Sequence, residues 1–201
     1  TVGNVAKTPP FVHRRPEEQP LAVLLAPPVY DFALYDLFLT PYALCRLGAW
    51  LEGAGFRVAL VNALDYTDPR SLLRFGPPRR EPWGTGKLFR QAAESPSALA
   101  RVPRRFARYG ILAESLAERL AGLRPDLVLI SAGMSYWYPG VVESVRLLRR
   151  LHPRAPVVLG GIYPTLCPEH VRRVSEADHV VCGSAEEGLP AVLRGLGLPL
   201  P

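Results

Sequence analysis

The chain has 201 residues, 48% of them hydrophobic and 21% charged, the proportions of a globular protein able to bury one substantial core. No apolar run approaches the ~18 residues of a membrane-spanning helix, and Thr1-Val2-Gly3-Asn4 leads into no apolar signal segment. Net charge is +6, but residues 70–110 carry ten Arg or Lys against only Glu81 and Glu94, a local balance of +8 that leaves −2 for the rest. Three scattered cysteines, Cys45, Cys167 and Cys182, argue against a disulfide framework or a Cys-x-x-Cys metal cluster and suit a reducing cytoplasm.

Residues 1–20 contain four prolines and no apolar periodicity, so they read as an N-terminal arm. Leu21 to Ala26 is a short apolar run between prolines, as expected of a strand buried on both faces. The loop from Pro27 to Thr40 is rich in aromatics: Tyr30, Phe32, Tyr35 and Phe38. Thr40-Pro41 then predicts a helix start, with Thr40 as N-cap. Leu44, Leu47, Leu51 and Ala54 lie on one helix face, and Gly53 to Gly55 ends it. Phe56 to Val61 is the second predicted strand. Asn62 to Gly110 reads as a long irregular insertion holding the basic run, either a solvated surface or a docking element. Gly84-Thr85-Gly86-Lys87 within it lacks the spacing and the preceding strand of a phosphate loop.

Regular patterning resumes with a helix over Ile111 to Leu123, a strand over Leu127 to Ser131, and a helix from Val141 to Leu151. A fourth strand, Pro156 to Leu159, runs into Gly160-Gly161, and a helix begins near Pro168. A fifth strand spans Ala177 to Cys182, and the last helix spans Glu186 to Gly195. Strands alternating with helices predict an α/β fold: a Rossmann-like or flavodoxin-like open parallel sheet of about five strands, order 2-1-3-4-5, with helices on both faces. In such a sheet ligands bind at the carboxyl ends of the strands. The loops Pro27–Thr40, Ala132–Tyr138, Gly161–Pro168 and Gly183–Glu187 meet there.

The first of these loops offers an apolar, aromatic surface for a large flat ligand, or packs onto a neighbouring domain. In the others, Ser131 and Ser135 provide hydroxyls, and Gly160 and Gly161 bring bare backbone to a ligand. His13, His152, His170 and His179 form no catalytic or metal-ligand pattern, and no nucleophile elbow is present. Cys45 and Cys182 read as small core residues. The domain therefore reads as a binder, not a catalyst.

Several runs resemble the N-terminal cobalamin-binding domain of B12-dependent radical SAM proteins. They are Leu24-Leu25-Ala26-Pro27-Pro28, the first helix with Pro41, Leu44, Leu47, Leu51 and Gly55, Arg124 to Ser131, Gly160 to Thr165 with Pro168-Glu169, and Val180 to Gly183 with Glu186-Glu187 and Leu189-Pro190. The likeness covers about residues 21–195, apart from the basic insertion at about 65–110. It implies that Tyr35, Asp36 and Leu37 face a corrin and that Ser131, Ser135, Gly160, Gly161, Thr165 and Gly183 surround its nucleotide tail. It also implies a C-terminal radical SAM domain of the same chain, reached through a linker starting at 196–201, which would supply a [4Fe-4S] cluster and S-adenosylmethionine. The Asp-x-His-x-x-Gly signature is absent after the first strand. A bound cobalamin is thus expected base-off without a protein His ligand, its lower face vacant, water-bound or shielded by Tyr35 or Leu37. The family's Gly-Glu-Gly-Glu is here Gly183-Ser184-Ala185-Glu186. The alternative expectation is a cofactor-free interaction module whose basic insertion docks a partner domain or, less favoured, nucleic acid.

Overall fold

A computed structural model describes residues 19–200; most of the expected N-terminal arm, with His13, lies outside the described residues. Along the chain the first elements are β1 (Leu21–Ala26), β2 (Val29–Asp31), α1 (Tyr42–Gly53), β3 (Arg57–Asn62), α2 (Pro69–Phe75), β4 (Arg90–Ala92) and β5 (Ala107–Tyr109). Next come α3 (Ala113–Ala121), β6 (Leu127–Ala132), α4 (Tyr138–Leu151), β7 (Val157–Gly161), α5 (Ile162–Leu166), α6 (Pro168–Val174), β8 (His179–Val180) and α7 (Ala185–Gly195).

The main sheet is parallel throughout, in the order β3-β1-β6-β7-β8. That is the 2-1-3-4-5 arrangement expected from the alternation of strands and helices. Strand alternation sends successive residues to opposite faces, and both faces are covered. Leu21, Val23 and Leu25 join Val128, Ile130, Val157 and Leu159 beneath Leu116 and Leu120 of α3, Val145 and Leu148 of α4, and Val171 of α6. Ala22 and Leu24 join Leu127, Leu129 and Val158 beneath Leu44 and Leu51 of α1 and Leu189 and Leu193 of α7. Two-sided burial explains why β1 reads as a continuous apolar run.

The segment from Asn62 to Gly110 departs from the expected irregular insertion. It contains α2 and contributes β4 and β5 to a small antiparallel sheet, order β2-β5-β4. Arg108 on β5 is buried. Its Nε donates to the Glu143 carboxylate of α4 at 3.0 Å, and its Nη1 donates to the Ile111 carbonyl. The Tyr30 hydroxyl donates to the same carboxylate at 2.9 Å. Burial, then the Glu143 charge, push that hydroxyl up to about 12. The Arg80 guanidinium stacks on the Tyr66 ring at 3.8 Å and donates to Asp36 at 2.7 Å. Two of the ten cations are thus structural, and the insertion is not simply a solvated charge run.

Other expectations need correction. Thr40 does not cap α1: Pro41 holds that position without a side-chain bond. The β6 exit is not all loop: Ser135 starts a short 3-10 turn over Ser135–Trp137. The β7 strand runs through the diglycine, and the expected loop Gly161–Pro168 is mostly the single-turn helix α5. The last strand shrinks to two residues, at the sheet edge where it pairs only with β7. Cys182 therefore falls in the exit loop and is exposed, as is Cys45 on the outer side of α1. Neither is a core residue.

Candidate functional site

At the carboxyl edge of the sheet, a cavity of about 240 Å³ opens between α1, α7 and the ends of β6 and β7. Its floor follows from strand pairing. Leu129 lies beside Val158 and Ser131 beside Gly160. Leu129 and Val158 pack in the α1/α7 layer, and alternation puts Ser131 and Gly160, two residues further along each strand, on the same face. Leu47 and Arg46 of α1 form one wall; Ala185, Glu186 and Leu189 of α7 form the other. Gly183 closes the end.

The two adjacent glycines have different reasons to be glycine. Gly161 has φ 108°, and a Cβ there would meet the Ala132 carbonyl oxygen at 2.5 Å. The turn itself forbids a side chain. At Gly160 a Cβ would meet only the Val181 carbonyl oxygen, at 3.9 Å, an ordinary contact. Protein packing does not demand glycine there; what a side chain would fill is the cavity.

Loop clips hold the edge in shape. The Thr165 hydroxyl donates to the Gly161 carbonyl at 2.8 Å and accepts from the Gly183 N–H at 2.9 Å. The Cys182 thiol donates to the Pro164 carbonyl at 3.3 Å. Thr165 therefore positions Gly183 and does not line the cavity itself. Tyr163 of α5 is buried, and its hydroxyl lies 2.6 Å from Nδ1 of His170 on α6. Burial, then the neighbouring Cys167 and Tyr138, push the Tyr163 hydroxyl up to about 12.

Of the nine residues singled out from sequence, Ser131, Gly160, Gly161 and Gly183 come together around this cavity. Tyr35 and Leu37 sit on the β1 exit loop and are exposed, as are Phe38, Tyr42, Met134, Tyr136, Ile162 and Leu166 on the neighbouring loops and helix starts. The carboxyl edge thus carries an apolar rim. Asp36 is buried: its Oδ1 accepts from the Leu39 N–H at 2.7 Å, and its Oδ2 accepts from Arg80. It staples the loop to the insertion, beside a second, polar cavity of about 380 Å³. Ser135 lies in the β6 exit turn and does not line the first cavity. The aromatic β1 loop is divided: Tyr30 and Phe32 pack against Phe106 of the insertion, leaving only its later part on the rim. Trp137 likewise turns away, donating from Nε1 to Asp31 at 2.9 Å.

Sequence reasoning missed the helical walls. Arg46 of α1 and Glu186 of α7 pair across the cavity mouth, and the Ser184 hydroxyl donates to Glu186 at 2.8 Å. That bond leads the causes that hold the Glu186 carboxyl below its usual range; the Arg46 charge adds to it. The available signal was the face of α1 carrying Ala43, Arg46 and Leu47 at helical spacing.

Among the described residues no group of three or more His, Cys, Asp or Glu is placed to hold a metal ion, and no helix is long and apolar enough to cross a membrane. Residues 102–193 match the family model described as B12 binding domain. The matched stretch includes β6, β7 and β8, the loops that follow them, and α7 as far as Leu193. Over these residues the resemblance to a cobalamin-binding domain is borne out. No curated protein matches the chain.

Proposed function

We propose that the chain is the cobalamin-binding accessory domain of a B12-dependent radical SAM iron–sulfur enzyme, working in the cytoplasm. The observation that carries the cobalamin reading is the open space above Gly160. A floor of Ser131 and Gly160 and walls of Leu47 and Leu189 form an apolar slot with backbone exposed at its end. Whole cobalamin is far larger than this slot, but a flat bicyclic base of the size of its nucleotide tail fits it. The rest of the ligand then lies outside, against the rim of Tyr35, Leu37, Phe38, Tyr42, Met134 and Ile162, whose exposure is otherwise costly.

In this reading Leu47, Val158 and Leu189 exclude water from the tail, and the Ser131 hydroxyl hydrogen-bonds its polar atoms. Thr165 holds Gly183 in place. The β1 exit loop, Pro27 to Thr40, contains no histidine, so it supplies no imidazole to cobalt, which favours a base-off ligand. When bound, cobalamin supplies a cobalt centre suited to methyl transfer or related radical chemistry. The [4Fe-4S] cluster and S-adenosylmethionine belong to a C-terminal radical SAM domain of the same parent chain, which would cover the rim from the other side.

Incubation with hydroxocobalamin followed by desalting tests this. Retained corrin absorbance at a stoichiometry near one supports the reading; a colourless protein contradicts it. A second reading, a cofactor-free docking module, draws on the exposed Arg101, Arg104 and Arg105 of the insertion. It predicts salt-dependent retention of RNA or of an acidic partner that is lost when these arginines become Ala.

A further inference from the structure

The cavity lining is apolar or bare backbone for most of its extent. Among the described residues lining it, Arg46 is the one cation and Glu186 the one anion. They pair with each other across the mouth, from helices on opposite walls. Both side chains are largely exposed, 62% and 47%, and an exposed ion pair is weakly held and screened by salt. Glu186 also stands in the first turn of α7, where the helix end favours negative charge. The Ser184 hydroxyl, which could cap that turn, is turned onto Glu186 instead. A carboxylate thus occupies the position, between a guanidinium and a helix start, at which an anionic group of a ligand would be received.

We infer that Glu186 is a resident stand-in for a phosphate, and that Arg46 exchanges it for the phosphodiester of a ligand whose flat base enters the cavity. The inference rests on the cobalamin reading and deepens it: the mouth selects corrinoids that carry the nucleotide loop over those that lack it. An Arg guanidinium matches phosphate oxygens in the same forked geometry that it uses for carboxylate, so the exchange conserves the charge-assisted contact. The displaced Glu186 carboxylate is free to move into water because it is already exposed. Breaking the pair costs little, whereas the incoming phosphate is tethered to a base held in the slot, which raises its effective concentration at Arg46.

Equilibrium dialysis of the 201-residue chain against hydroxocobalamin and against diaquacobinamide tests this; cobinamide has the same corrin but no nucleotide. Arg46→Gln is expected to weaken cobalamin binding about tenfold, the size of one charge-assisted hydrogen bond, and to leave cobinamide binding unchanged. Arg46→Lys recovers part of the loss. Glu186→Gln removes the internal competitor and is expected to tighten cobalamin a few-fold, again without effect on cobinamide. Added salt weakens cobalamin binding to the wild-type chain more than to Arg46→Gln. Cobalamin affinity unmoved by Arg46→Gln, or equal losses for both corrinoids, overturns the Arg46 assignment while leaving the cavity reading intact. A wild-type chain that binds neither corrinoid overturns both.

Discussion

Gly160 and Gly161 look alike in the sequence, and only geometry separates them. The sequence places both at the carboxyl end of a buried strand, which is enough to nominate them. It does not show that one serves the turn and the other the cavity, because that depends on the Ala132 carbonyl of the neighbouring strand. Two substitutions make the difference measurable. Gly161→Ala forces a side chain into a positive-φ position with the Ala132 oxygen in the way. It should cost about 2 kcal/mol or more, seen as a drop of roughly 4–8 °C in Tm. Gly160→Val introduces a good strand former into open space, so Tm should move by no more than about 2 °C. Hydroxocobalamin retention should nevertheless be lost. A Gly160→Val chain that folds and still retains the corrinoid would remove the tail from this cavity. Asp36 teaches a related lesson. Its loop was legible as part of the ligand edge, but its burial against Arg80 depends on a residue 44 positions away, which no local pattern reports.

The helices and the parallel strands were legible because both depend on short-range periodicity and on proline and glycine boundaries. The insertion was not. β2, β4 and β5 are three residues each, too short to show alternation, and Arg108 looks like any other member of a basic run until Glu143 and Tyr30 are seen around it. A second buried polar cluster anchors the start of the insertion. Asp68 caps α2, accepting from the Ser71 N–H at 2.9 Å and from the Ser71 hydroxyl. It also accepts from Ser115 and Arg119 of α3. Burial alone would raise the Asp68 carboxyl, but the bonds from Ser71, Ser115 and Arg119 together outweigh it and hold it below its usual range. Asp65, opposed by burial and held by Thr67 and Arg119, is lowered as well. A carboxylate lowered in the folded state contributes stability in full above its unfolded value of about 4 and loses it as pH falls through the folded value. Tm should therefore fall as the medium is acidified below about pH 4. Asp68→Asn should lower Tm at neutral pH, by about 1–3 kcal/mol of stability, and flatten the acid limb. An acid limb unchanged in Asp68→Asn would assign the acid sensitivity elsewhere.

For the whole molecule, five parallel strands with helices on both faces leave one edge where four loops converge, and that edge carries both the slot and the apolar rim. The fold class and this edge could be read from the order of elements. The slot could not, because its two walls come from α1 and α7, whose facing residues Arg46 and Glu186 are 140 positions apart and meet only in the folded layer. A corrinoid bound at this edge is expected to have its nucleotide base withdrawn from cobalt and buried beside Gly160, with no protein imidazole in its place. Electron paramagnetic resonance of the reduced cobalt(II) form, bound to the chain, reads the axial ligand directly, since a coordinated nitrogen splits the cobalt signal further. A bound cob(II)alamin spectrum without nitrogen splitting is expected from the wild-type chain at neutral pH. A bound spectrum that shows nitrogen splitting, from the ligand's own base or from a histidine, would contradict it.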